Sequence, residues 1–174
     1  FPTRRSSDLH SLINMTIEND VKKWLVDEGF YREEKFEENV DFHYIVEFPK
    51  ENMMDVVKPK RKDCIVIGCA TQIAPQHLEL MKESKDNIKK EFILDLNFGL
   101  NNFLVDYELQ IDQDLLNGFI ITDEIFSDGL TKHNFIKTLK RVFKAKLHCI
   151  WLIDKKFEKL DFSKNTPSDN TMFV

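Results

Sequence analysis

The residues best suited to hold a metal are three cysteines and five histidines. Cys64, Cys69 and the adjacent His148-Cys149 would supply four ligands if a strand met a late helix. Positions five apart on a strand point to opposite faces, which sets Cys64 against Cys69. Buried free thiols are the plainer reading, since cysteine is among the most buried residue types. Asp112-Gln113-Asp114 followed by Asn117-Gly118 resembles a calcium loop, but Gly118 is the seventh residue and Asp123 the twelfth. An EF-hand needs glycine sixth and a bidentate glutamate twelfth, so a solvated hairpin tip is expected instead.

Acid–base chemistry would fall to Asp106, Glu108, Asp123 and Glu124, all near one C-terminal hairpin. Paired carboxylates do such work when held about 5–10 Å apart. Asp106 and Glu108 share a strand face with Gln110, and a solvated sheet face accounts for them equally. His43, His77 and His133 stand without a serine or cysteine in a nucleophile motif. Gly68 stands alone, so no glycine-rich phosphate loop is present. These residues name no catalytic group, no metal set and no cofactor.

The most basic run is Lys58-Pro59-Lys60-Arg61-Lys62. With Lys137, Lys140, Arg141 and Lys144 of the last helix it could make a patch for phosphate or an acidic partner. A solvated turn and an ordinary charged helix face are the alternative. The formal charge of −5 opposes nonspecific nucleic-acid binding and attraction to anionic membranes. No run reaches the roughly 20 apolar residues of a membrane span. Three cysteines cannot all pair within one chain, and a reducing cytoplasm is expected.

Fifteen Phe against only five Gly and five Pro describe a chain that buries a core. Its first nine residues, FPTRRSSDL, resemble the translation of a common sequencing-library adapter. Residues 1–14 are therefore expected to be a non-native or disordered leader. Residues 15–157 should form one α+β domain, and 158–174 a fraying tail.

Within the domain, Thr16 can cap a first helix carrying Ile17, Val21, Trp24 and Leu25 on one stripe, with Gly29 as its stop. Three strands follow at Tyr31 to Glu37, Asp41 to Phe48 and Asp63 to Ile73. Met53 to Lys62 reads as a loop with a short extended piece at Asp55 to Val57. Ala74-Pro75 opens a helical region ending near Gly99, in one helix or two about Ser84. Phe103 to Ile111 and Phe119 to Phe126 make a hairpin, with Asn117-Gly118 in its turn. A last helix runs from Thr131 to about Asp154. The fold class is thus α+β: helix, three strands, helix, two strands, helix, on an antiparallel sheet. Trp24, Phe42, Ile67, Phe92, Tyr107 and Leu139 should lie in the core.

This order resembles the type III secretion chaperone-like fold, which also takes in small uncharacterised bacterial and archaeal families. The chain is similar to an archaeal family of that kind, over Thr16 to about Phe157. The resemblance implies a dimer that holds an extended partner segment on hydrophobic surface, without catalysis. Leu104, Ile120 and Phe126 are the candidate interface residues. Lys58, Lys60, Arg61 and Lys62 are the candidate basic patch. The alternatives are a small enzyme with scattered site residues and a basic-patch nucleic-acid or regulatory binder.

Overall fold

A computed structural model describes the backbone of residues 6–157 and the side chains of residues 15–157. Residues 1–5 of the expected leader and the whole expected tail, 158–174, lie outside the described residues, as do the side chains of 6–14. The first helix, α1 (Ser6–Asp27), begins well before Thr16, which lies inside it. Gly29, at φ 73°, ends it by letting Phe30 N–H reach Leu25 O at 2.8 Å and Gly29 N–H reach Val26 O at 3.0 Å.

Four strands follow, not three: β1 (Tyr31–Lys35), β2 (Val40–Glu47), β3 (Met53–Pro59) and β4 (Cys64–Gln72). The stretch expected as a loop is β3, paired on both sides. Two helices come next, α2 (Pro75–Glu83) and α3 (Asp86–Phe103), broken where Ser84 Oγ–H turns back to Leu80 O at 2.7 Å. The hairpin is β5 (Asp106–Asp112) and β6 (Leu115–Phe126), and α4 (Lys132–Phe157) closes the chain. Thr131 Oγ1 caps α4 by accepting from Asn134 N–H at 3.2 Å.

The expected three-plus-two strand pattern is therefore wrong. All six strands form one antiparallel sheet in the order β1-β2-β3-β4-β6-β5. The α+β class and the antiparallel sheet hold. Strand alternation sends Tyr44, Val56, Ile67 and Ile121 into the main core with Val21, Phe92, Leu96 and Leu139 of the helices. Among the described residues the helices thus cover one face of the sheet and leave the other open. Phe42, Ile67, Phe92 and Leu139 are buried as expected, whereas Trp24 and Tyr107 are only half-buried at the margin of the core. Among the described residues no helix is long and apolar enough to cross a membrane.

The hairpin turn also differs from expectation. It is formed by Gln113 and Asp114, both at positive φ, the backbone of a type I′ turn. Asn117-Gly118 lies inside β6 instead. A Cβ at Gly118 would sit 2.8 Å from Thr71 O and 2.7 Å from Gln110 Oε1, so glycine there serves close strand approach rather than turning.

Candidate functional site: an apolar sheet edge

Helix α3 places its apolar residues on two sides. Phe92, Leu96 and Leu100 enter the core, and Leu94 and Phe98, four residues apart, point outward as neighbours on one stripe. Leu94 is 56% exposed and Phe98 68%. The helix leaves through Leu104, in the left-handed conformation and 81% exposed, and the chain returns as β5. Tyr107 O–H donates to Asn97 Oδ1 at 2.8 Å and ties β5 to α3. At the far end of β5, Ile111 is 45% exposed. There Ile93, Leu94 and Ile111 wall a cavity of about 370 Å³. Lys90 and Asp114 also line it, with Lys89 held by Asp86 at 3.0 Å. This apolar surface runs beside β5, which ends the sheet.

Of the expected interface residues, Leu104 lies at the exit of α3. Ile120 and Phe126 lie on the open face of β6, the first half-buried and the second 55% exposed. They stand six residues apart, about 20 Å at the usual strand rise, with Thr122 and Glu124 between. The structure does not bring the three together. Leu94, Phe98 and Ile111 are not among the sequence candidates, because the helical stripe names only the inward side of α3 and Ile111 falls in the apolar row of its strand.

The basic run is also divided. Lys58 is buried at 3% exposure, its ammonium donating to Lys62 O at 2.7 Å, to Pro59 O at 3.2 Å and to Asp41 at 3.4 Å. It holds the β3–β4 turn from within. Lys60 is exposed and donates to Glu38 O at 2.6 Å, and Arg61 and Lys62 are exposed beside it.

The carboxylates separate by sheet face. Asp106, Glu108 and Glu124 lie on the open face, whereas Asp123 turns under the helices to Arg141 at 2.8 Å. Burial nonetheless outweighs the guanidinium and pushes the Asp123 carboxyl above its ordinary range. His43 is nearly buried on the open face between Glu37, 2.7 Å from Nδ1, and Asp55, 2.6 Å from Nε2. Both ring nitrogens thus have a carboxylate partner, and the pair of contacts straps β3 to the β1–β2 turn. Cys64 lies on the open face and Cys69 on the helical one. Among the described residues no three His, Cys, Asp or Glu side chains gather to hold a metal.

One antiparallel six-stranded sheet with helices on a single face defines the chain as an α+β domain. It belongs to the family described as "Uncharacterized conserved protein (DUF2299)", whose profile matches residues 17–153. It is similar to an uncharacterized protein from Methanothermobacter thermautotrophicus, known from a crystal structure. The two share 41% identity over 81% of this chain and 99% of that one, at a TM-score of 0.79. YbjN from E. coli aligns over 75% of this chain and 89% of its own, at 13% identity and a TM-score of 0.43. No curated protein matches.

Proposed function

We propose that the chain is a non-enzymatic protein-binding domain that holds a segment of a partner at the edge formed by α3 and β5. One observation carries this reading. Leu94 and Phe98 are more than half exposed as neighbours on one stripe of α3, and Leu94 meets the 45% exposed Ile111 of β5 in one cavity. Contiguous apolar surface of this kind on a small domain marks an interaction site more often than chance. The reading rests on that surface. The element order behind the chaperone resemblance is not the observed one and adds nothing to it.

The test uses an array of extended peptides. Leu94→Asp and Phe98→Asp should leave the melting midpoint unchanged within about 2 °C, because both side chains already meet water. Each should remove most peptide capture by the full chain. Equal capture by both variants and the unaltered chain would overturn the proposal.

A further inference from the structure

The sheet has two edges, and they are built differently. β1 is short, bulged between Tyr31 and Glu33, and mixed in charge. Arg32 pairs with Glu47 at 2.6 Å, and Lys22 of α1 pairs with Glu34 at 2.8 Å across its end. Such features are the usual means of blunting an edge against further pairing. β5 lacks most of them. Its seven residues bond to β6 on one side, regularly from Asp106 to Gln110. Among the described residues no backbone hydrogen bond joins its outer side to another segment.

We infer that the bound segment adds to β5 as a seventh strand, with basic side chains on one face and apolar side chains on the other. This rests on the protein-binding reading above and names the chemistry of the partner. Alternation sets Tyr107, Leu109 and Ile111 toward the helical layer, and Asp106, Glu108, Gln110 and Asp112 toward the open face. None of Asp106, Glu108 and Asp112 has an ion pair among the described residues. The open face of β4, β6 and β5 carries Glu124 as well and no lysine or arginine. A strand lying against β5 therefore sets one row of its side chains along Asp106, Glu108 and Asp112, three carboxylates without an ion pair among the described residues, and Gln110. Its other side chains face Leu94, Phe98 and the cavity at Ile111. The backbone supplies the pairing, the helix an apolar wall, and the carboxylates a demand for lysine or arginine.

A second copy fits this edge poorly. An antiparallel β5–β5 pair centred on Leu109 opposes Asp106 to Asp112 and Glu108 to Gln110. Acid opposite acid destabilises a strand pair, and the net charge of −5 on each copy adds to the repulsion.

The experiment measures binding of the full chain to three labelled peptides as long as β5. One alternates lysine and valine, one alternates glutamate and valine, and one has the first composition in two blocks. Fluorescence anisotropy gives affinities, and amide exchange locates the contact. The alternating basic peptide should bind at least about tenfold more tightly than either other, from several cross-strand charge pairs together. It should slow exchange at amides of 106–112. Asp106→Lys with Glu108→Lys should move the preference to the acidic peptide. Equal binding of the alternating and block peptides, or protection elsewhere, overturns the strand. If Phe98→Asp still abolishes that binding, the apolar site stands without it. If Phe98→Asp leaves binding intact, the site falls as well. Concentration-dependent dimerisation that protects the same amides without peptide would make the occupant a second copy and overturn the inference.

Discussion

Replacing Gly99 by alanine should destabilise the chain, against the helical preference of alanine, and the cause is one neighbour. Gly99 lies on α3 where it meets α4. A Cβ built there would collide with Nε2 of His148 and stand 2.7 Å from Cδ2 and 2.9 Å from Cε1. Ordinary contact would need the ring to retreat by more than an ångström. It sits beside Phe103, with ring centroids 5.6 Å apart, and its Nε2 is buried without a hydrogen-bond partner among the described residues. Forcing a methyl into such packing costs about 1–3 kcal/mol. Alanine in place of glycine in a helix interior returns about 0.8–1.0 kcal/mol. The net expectation is a loss of up to about 2 kcal/mol, combining those two ranges. Urea denaturation reads it as a lower midpoint at unchanged slope. The decisive arm is the same change with His148→Ala, where only the helical gain should remain. Gly99→Ala stabilising the chain with His148 in place would refute the reasoning. Because this contact seats α3 on α4, the single variant should also blunt peptide capture by the outer face of α3.

Further outcomes follow from burial. Phe92 is 1% exposed and packs edge-on to Phe157 with centroids 4.8 Å apart, so Phe92→Ala should cost about 3–5 kcal/mol in the same denaturation assay. Lys58→Ala should cost about 1.5–3 kcal/mol, since it removes charged hydrogen bonds in a buried place, whereas Arg61→Ala should stay within about 0.5 kcal/mol. Burial pushes the Cys69 thiol up to about 11 and the Cys149 thiol up to about 12, and raises Cys64 as well. The reactive thiolate is thus scarce in the native state at pH 8. Alkylation should track unfolding, and a thiol that reacts fast without denaturant would contradict that packing.

Periodicity exposed the long elements, and local chemistry hid the rest. Gly29, Pro75 and Thr131 mark helix ends by backbone rules that need no partner, and each marks one here. Strand β3 was concealed because its inward row is Met54, Val56 and Lys58. A lysine flanked by proline looks like a turn until the carbonyls and carboxylate that receive its ammonium are in place. Phe103 alternates with the residues of β5 and so looked like its start. It is the last residue of α3, since Leu104 takes the left-handed exit that usually falls to glycine. The apolar edge was legible only in part. Leu104 could be named as an apolar residue on the polar row of the expected strand, but choosing the outward side of α3 requires knowing where α4 lies. The separation of Lys58 from Lys60, Arg61 and Lys62 is likewise a property of the packed turn.

The pairing of β4 with β6 bears on how the molecule assembles. Strands β1 to β4 form a meander and β5 with β6 a hairpin, both closed by nearby residues. Their junction joins Gln72 to Gly118 and Cys64 to Phe126, across α2, α3 and β5. The entropy of closing that long loop must be met before the junction contributes anything, which makes it the slow step. Ile121→Val, at the centre of the junction, should slow folding in proportion to its stability cost, while Ile153→Val near the end of α4 should chiefly speed unfolding. Stopped-flow rates showing the reverse would mean that the helices dock before the sheet is joined.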